Sequence, residues 1–288
     1  MSSRSFCLPL LLVSMLSGCD ITSDGSTGDP PSDPVADELG DGVRLREVIT
    51  AADWYDVGNM ESAGCKKPSD RQVKATGQVI VAIDRYDETG DGALGNIYIQ
   101  DLYEGDEEPA PFSGVTVFAP AFTPPDLRLF DGDVVDTFGN LMEFIGPSSS
   151  PFGECKTLPE IGGTMSFRFD HGPVEPLTVV SKNGGTARWD GIKGYQNARQ
   201  YMGMLIRIEG VNVSGELDDD GKGRVTATID MGGGISAVDV IKISNELFDL
   251  ANDGPEIIDG TQFQSVTGVL TYFYGFKIAP RSADDFEM

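Results

Sequence analysis

Apolar residues recur along this chain in short runs broken by Gly, Asp, Pro and Ser, a strand rhythm rather than a helical one. Five runs follow one another in the first half. They are Val73 to Ile83 (VKATGQVIVAI), Asn96 to Gln100 (NIYIQ), Gly114 to Ala119 (GVTVFA), Val134 to Ile145, and Leu158 to Ile161 continued by Met165 to Phe169. Gly77 sits inside the first, where a barrel strand has to coil. Before them, Val43 to Ile49 (VRLREVI) is an amphipathic lead-in; Pro120 to Phe130 has room for a helical turn at most. A second series reads Met202 to Ile208, Arg224 to Ile229, Ala237 to Ile243, Gln262 to Tyr274 and Phe276 to Ala279. Between the two series, Trp189 to Tyr201 is the best helical candidate, with Gly191 and Gly194 confining the helix to its later part.

The two series carry an internal echo. Gly139, Leu141, Phe144 and Gly146 in FGNLMEFIG recur, at one constant offset, as Gly268, Leu270, Phe273 and Gly275 in VTGVLTYFYGF. An Asp-Gly pair precedes each copy, Asp131-Gly132 and Asp259-Gly260, so each reads as a strand entered from a turn. Strand side chains alternate with period two, so Leu and Phe three apart face opposite ways unless a bulge or bend intervenes. The pattern predicts an all-β protein of two tandem, related, five-stranded barrels with short helical connections.

Several phrases give the barrels a family likeness. An LREV lead-in, Gly77-Gln78-Val79, Ile97-Tyr98-Ile99-Gln100-Asp101, Ser113-Gly114-Val115 and Asp131-Gly132-Asp133-Val134-Val135 resemble, in that order, the OB-like modules of secreted bacterial nucleases and allied exported lipoproteins. In the second series Tyr201-Met202-Gly203-Met204-Leu205-Ile206-Arg207-Ile208 resembles the opening of the same module, with Met202 where the family has Glu. Ile278-Ala279-Pro280-Arg281 with Asp284-Asp285 resembles its close. The resemblance implies OB-like folds and leaves a nucleic-acid role open through the family.

The first residues set an address. Arg4 precedes an apolar stretch, Cys7 to Leu16, that is too short for a permanent membrane span. It ends in Leu16-Ser17-Gly18-Cys19, which resembles a bacterial lipobox; an ordinary signal peptide is the alternative. The resemblance implies removal of residues 1–18 and lipid on Cys19. Residues 19–42, rich in Asp, Gly, Ser and Pro, predict a disordered acidic tether. The first barrel is expected over 43–169 and the second over 170–288.

Charge narrows the partners. The chain carries 21 Lys and Arg against 46 Asp and Glu, a formal net charge of −25, and loss of residues 1–18 removes one further arginine. Binding to phosphate backbones draws on Lys and Arg that release counterions, so this balance disfavours nucleic acid. It suits the surface of an exported protein.

Catalytic chemistry is poorly represented. The one histidine, His171, stands in DHGP between the barrels and reads as a linker turn. No nucleophile elbow or phosphate-cradling loop is present, and MGGGI at 231–235 has neither the spacing nor the Lys of one. Two acidic loops, Asp84 to Gly92 and Asp218 to Gly223, contain calcium-type oxygens but also what turns require. Cys65 and Cys155 are the only other cysteines after Cys19, an even pair that export would bridge. If the Gly77 and Gly139 strands pair antiparallel, both cysteines fall at one end of the barrel. Tyr272, Tyr274 and Arg281 form a candidate binding surface, the two tyrosines sharing a face that either stacks on a ligand or covers the barrel. The reading is a lipid-anchored envelope binding or scaffolding protein, not an enzyme, without cofactor or metal. Its expected partners are the membrane, through the lipid, and a protein or small ligand. The alternative is an accessory nucleic-acid-binding component of an extracellular nuclease or uptake system.

Overall fold

The computed structural model describes residues 43–50, 64–65, 67, 69–90, 95–103, 109–118, 129–153, 155–181, 189, 191–232 and 239–288, and only the backbone of 164–170. Residues 1–42, with the expected leader, Cys19 and the expected tether, lie outside these residues. In the first half, α1 (Leu45–Thr50) precedes β1 (Arg71–Ile83), β2 (Ile97–Asp101), β3 (Gly114–Phe118), β4 (Asp133–Phe144) and β5 (Leu158–His171). The five strands close into a barrel of order β1-β2-β3-β5-β4. Every pairing is antiparallel except β3 with β5, the Greek-key order consistent with an OB-like barrel. Alternation places Ile80, Ile97, Ile99, Val115, Val117, Val135, Leu141 and Ile161 in its core, all at most 2% exposed.

The second half contains β6 (Leu177–Val180), α2 (Tyr195–Arg199), β7 (Leu205–Asp219), β8 (Val225–Ile229), β9 (Lys242–Ser244), β10 (Gln262–Tyr272), β11 (Phe276–Ala279) and β12 (Phe286–Glu287). They form a seven-stranded sheet with an additional β10–β7 pairing. That pairing links β7, β8, β9, β11 and β10 into a ring whose only parallel contact is β9 with β11, the order and sense of the first barrel. The long β7 serves two neighbours on one side. Its first half pairs with β6 and its second half with β8.

The repeated glycines have a physical reason. Gly139 faces Gly163 across β4 and β5, and a Cβ on Gly139 would meet Gly162 O at 2.4 Å. In the second ring a Cβ on Gly268 would meet the Ala279 backbone at 2.7 Å. In both rings glycine lets the fourth strand close on the fifth. The bulge expected between Leu141 and Phe144 is absent: the β4–β5 register runs unbroken through both residues. Phe144 points away from Leu141 and packs edge-on against Phe152, 5.6 Å between centroids. Phe273, its counterpart, meets the same Phe152 at 5.8 Å.

Other differences follow from length. The four residues of β6 and the two of β12 are too few to show periodicity. The lead-in is a helical turn, α1, that buries Leu45, Val48 and Ile49. The fifth strand is one continuous element reaching His171, beyond the expected boundary at 169. Of the Ala237 to Ile243 run, residues 237 and 238 lie outside the described set, 239–241 are not strand, and β9 begins at Lys242.

β1 and β4 run antiparallel, with Arg71 opposite Leu141. This brings the approach to β1 and the exit of β4 to one end of the barrel, where a disulfide joins Cys65 and Cys155 with Cα atoms 4.8 Å apart. Both cysteines have positive φ, 56° and 60°.

Candidate functional site

The first barrel and the second sheet meet along a seam. The outer face of β1 and β2 supplies Val79, Val81, Ala82 and Tyr98; Leu205, Leu247, Val269 and Ala279 of the second unit cover it, forming an apolar cluster apart from the main core. Backbones come close here. A Cβ on Gly203 would lie 2.7 Å from the Val115 backbone, and one on Gly114 would lie 2.5 Å from Met204 N. Gly203 also adopts φ of 75°, in the left-handed region that suits glycine.

Polar groups lock the seam at three points. At the first, Gln100, only 2% exposed, accepts from Leu205 N at 3.1 Å and donates to Glu175 O at 3.3 Å. At the second, Arg281 forms a two-pronged pair with Asp285 (Nε to Oδ2 3.0 Å, Nη2 to Oδ1 2.8 Å) and donates to Val81 O at 3.3 Å. The third lies beside the β4–β5 connection. There Arg199 of α2 donates to Glu143 Oε2 at 2.8 Å, to Thr157 Oγ1 at 2.8 Å and to the Tyr195 hydroxyl at 2.7 Å. Thr157 Oγ1 donates to the same Glu143 oxygen at 2.6 Å. Both side chains of the Glu143–Arg199 pair are almost wholly buried.

Burial shapes the charges of this region. Glu160, beside Glu143 on the neighbouring strand, is pushed up to about 7, first by burial and then by the Glu143 charge. Asp101 is also pushed up to about 7 by burial, even though it accepts from Leu45 N at 2.6 Å and Arg46 N at 3.0 Å to cap α1.

The seam reassigns the expected binding surface. Tyr272 is 4% exposed, packed against Tyr195 and Phe276, so it belongs to the core and does not share an outer face with Tyr274. The strand ends at Tyr272, and the turn that follows, with Tyr274 at φ of 55°, breaks the alternation that would have paired the two residues. Tyr274 is exposed, and its hydroxyl donates to Ser150 O of the first half. Arg281 is a cross-seam clamp. The three do not converge on a surface.

His171 closes β5 against Asp133, Nδ1 to Oδ1 3.4 Å, with its ring stacked over the position a Gly132 side chain would need. In the Asp218 to Gly223 loop the carboxylates hold the turn itself: Asp219 accepts from Gly221 N, and Asp220 from Lys222 N and Arg224 N. Residues 91 and 92 of the other acidic loop lie outside the described residues. Sequence reasoning missed Glu143, Thr157, Tyr195 and Arg199. The available signal was the Tyr195 to Arg199 spacing, one helical turn on one face.

In comparisons with known proteins the chain matches no family model, no curated protein and no solved structure.

Proposed function

We propose that the chain is a lipid-anchored cell-envelope protein whose two OB-like barrels act as one binding or scaffolding body, without catalytic activity of its own. The lipobox-like Leu16 to Cys19 supports the anchor. One observation favours this reading over single-strand binding. OB-like barrels receive oligonucleotides on the outer face of their second and third strands, and in the first barrel that face is filled by the second unit. Tyr98 is 5% exposed, and Gln100 is spent on Leu205 and Glu175. The corresponding face of the second ring carries Thr226, Thr228 and Lys242, half-buried between inward Ala227 and Ile243. It is a surface of hydroxyls and one ammonium, which suits a hydrogen-bonding protein or small-ligand partner better than stacked bases.

Titration of the mature protein with a fluorescent single-stranded oligonucleotide at physiological salt tests this. The expected result is no saturable binding up to tens of micromolar, roughly the non-specific regime. A salt-sensitive Kd below about 1 μM, tight on the same scale, would overturn the reading in favour of an accessory subunit of a nuclease or uptake system.

A further inference from the structure

Where β1 leaves the seam, carboxylates from both halves converge. Asp84 directly follows β1 and is 7% exposed; the hairpin fixes it through Asp84 N to Asn96 O at 2.8 Å and Gly95 N to Asp84 O at 3.0 Å. Among the described residues its Oδ1 is buried without a hydrogen-bond partner. From the same loop come Tyr86, which bonds Asn245 and Asp249 of the second unit, and Asp87 and Glu88. Glu88 lies 3.6 Å from Arg224 across the seam, and its carbonyl leaves no room for a side chain at Gly223. The second unit contributes Glu246, held by Lys277 at 2.8 Å and by Thr271. Burial first, and then the charges of Glu246, Asp84, Glu160 and Glu88, push the Tyr98 hydroxyl up. Among the described residues, the cations facing the cluster, Arg224 and Lys277, are thus engaged by Glu88 and Glu246. The charges acting most strongly on Asp84 itself are carboxylates: Glu88, Glu246 and Asp87.

We propose that the seam is a proton-controlled contact: it is closed while the Asp84 carboxyl holds a proton beside Glu88 and the Glu246 carboxylate, and it loosens as Asp84 ionises, uncovering the outer face of β1 and β2. Asp84 accepts from the Tyr86 backbone, but its Oδ1 is left unpartnered, and a buried carboxyl with one oxygen unsatisfied is tolerable when neutral and costly when charged. Its ionised form also repels Glu246 on the opposite unit, which pulls the seam apart where Tyr98 seals it.

The direction follows from the proton count. Burial first, then Glu88, Glu246 and Asp87, push Asp84 up to about 7, and burial raises Glu88 as well. In an opened seam these groups regain water and titrate near ~4, as exposed carboxylates do. The closed form therefore holds more protons between those values. Its advantage is complete below about 4 and is lost as the pH rises through about 7. Asp101 and Glu160 titrate in the same direction elsewhere. Global stability alone is consequently not a clean readout of the seam.

The Leu205 amide is, because it donates across the seam to Gln100. Hydrogen exchange of the mature protein, corrected for intrinsic rates, should show Leu205 protection falling about tenfold or more between pH 5.5 and 8.5, as linkage of a strongly raised carboxyl requires. Protection at Ile99, paired inside the first barrel, should stay level. Asp84→Asn, which holds the neutral form, should keep Leu205 protected at pH 8.5; Glu88→Gln should halve the dependence or better. Flat Leu205 protection in the wild type overturns the proposal. So does an equal fall at Ile99, which marks global unfolding, or a full pH dependence retained in a folded Asp84→Asn.

Discussion

Replacing Arg199 with alanine is expected to lower the melting temperature by about 10 °C, the largest effect of any single substitution outside the apolar cores. The guanidinium is 3% exposed and donates to Glu143, to Thr157 and to Tyr195, so its removal strands a carboxylate that is itself 3% exposed. Breaking a buried pair from one side costs about 3–5 kcal/mol, because the remaining charge has no water to return to. For a chain of this size each kcal/mol moves the midpoint by about 2–4 °C. The sequence partners lie far apart, Glu143 at the end of β4 and Arg199 in α2, so the loss also loosens the docking of the second unit on the first. A double-mutant cycle separates the pair from its surroundings. Glu143→Leu with Arg199→Met removes both charges and should lie closer to wild type than either single variant does. Equal destabilisation by the double and single variants would show that packing, not the stranded charge, carries the effect.

Removing the disulfide by Cys65→Ser with Cys155→Ser is expected to cost about 4 kcal/mol in denaturant unfolding. The bridge spans a sequence separation of 90 residues, and restricting the unfolded chain over a loop of that size is worth about 4–5 kcal/mol on the chain-entropy account. A local consequence accompanies the global one. Cys155 ends the segment that carries Phe152 into perpendicular contact with Phe144, Tyr272, Phe273 and Tyr274, joining residues of both halves. Near-ultraviolet circular dichroism should weaken in the variant while the far-ultraviolet spectrum holds. A shift of the unfolding free energy below about 1 kcal/mol, within the range of ordinary surface changes, would contradict this role.

Much of the fold was legible because strands of five residues or more leave an alternating trace, and because the Gly139 and Gly268 copies mark the same crossing in two rings. Several residues of the phrases that resemble exported OB-like modules lie at the seam, and others hold α1 on the first barrel. Gln100 of the IYIQD run bridges to Leu205, its neighbour Asp101 caps α1, Gly114 and Gly203 permit close approach, and Arg281 clamps Asp285 while reaching Val81. Their residue types are those needed to join the first barrel to the second sheet and to its lead-in helix, which a linear reading registers only as motif. The Tyr272 misplacement has the opposite cause. Period two holds only inside a strand, and β10 ends at that residue. Glu143 and Arg199 were illegible because their meaning lies in a pairing that links distant elements, and neither position departs locally from an ordinary strand or helix.

Membrane attachment through Cys19 is the claim on which the proposed function stands, and mass spectrometry of the protein extracted from its native membranes addresses it directly. The expected result is a mature N-terminus at Cys19 carrying lipid, with Cys19→Ala either in the soluble fraction or persisting as uncleaved precursor. A wild-type protein that begins elsewhere without lipid, or a Cys19→Ala variant that fractionates and migrates as wild type, would contradict it.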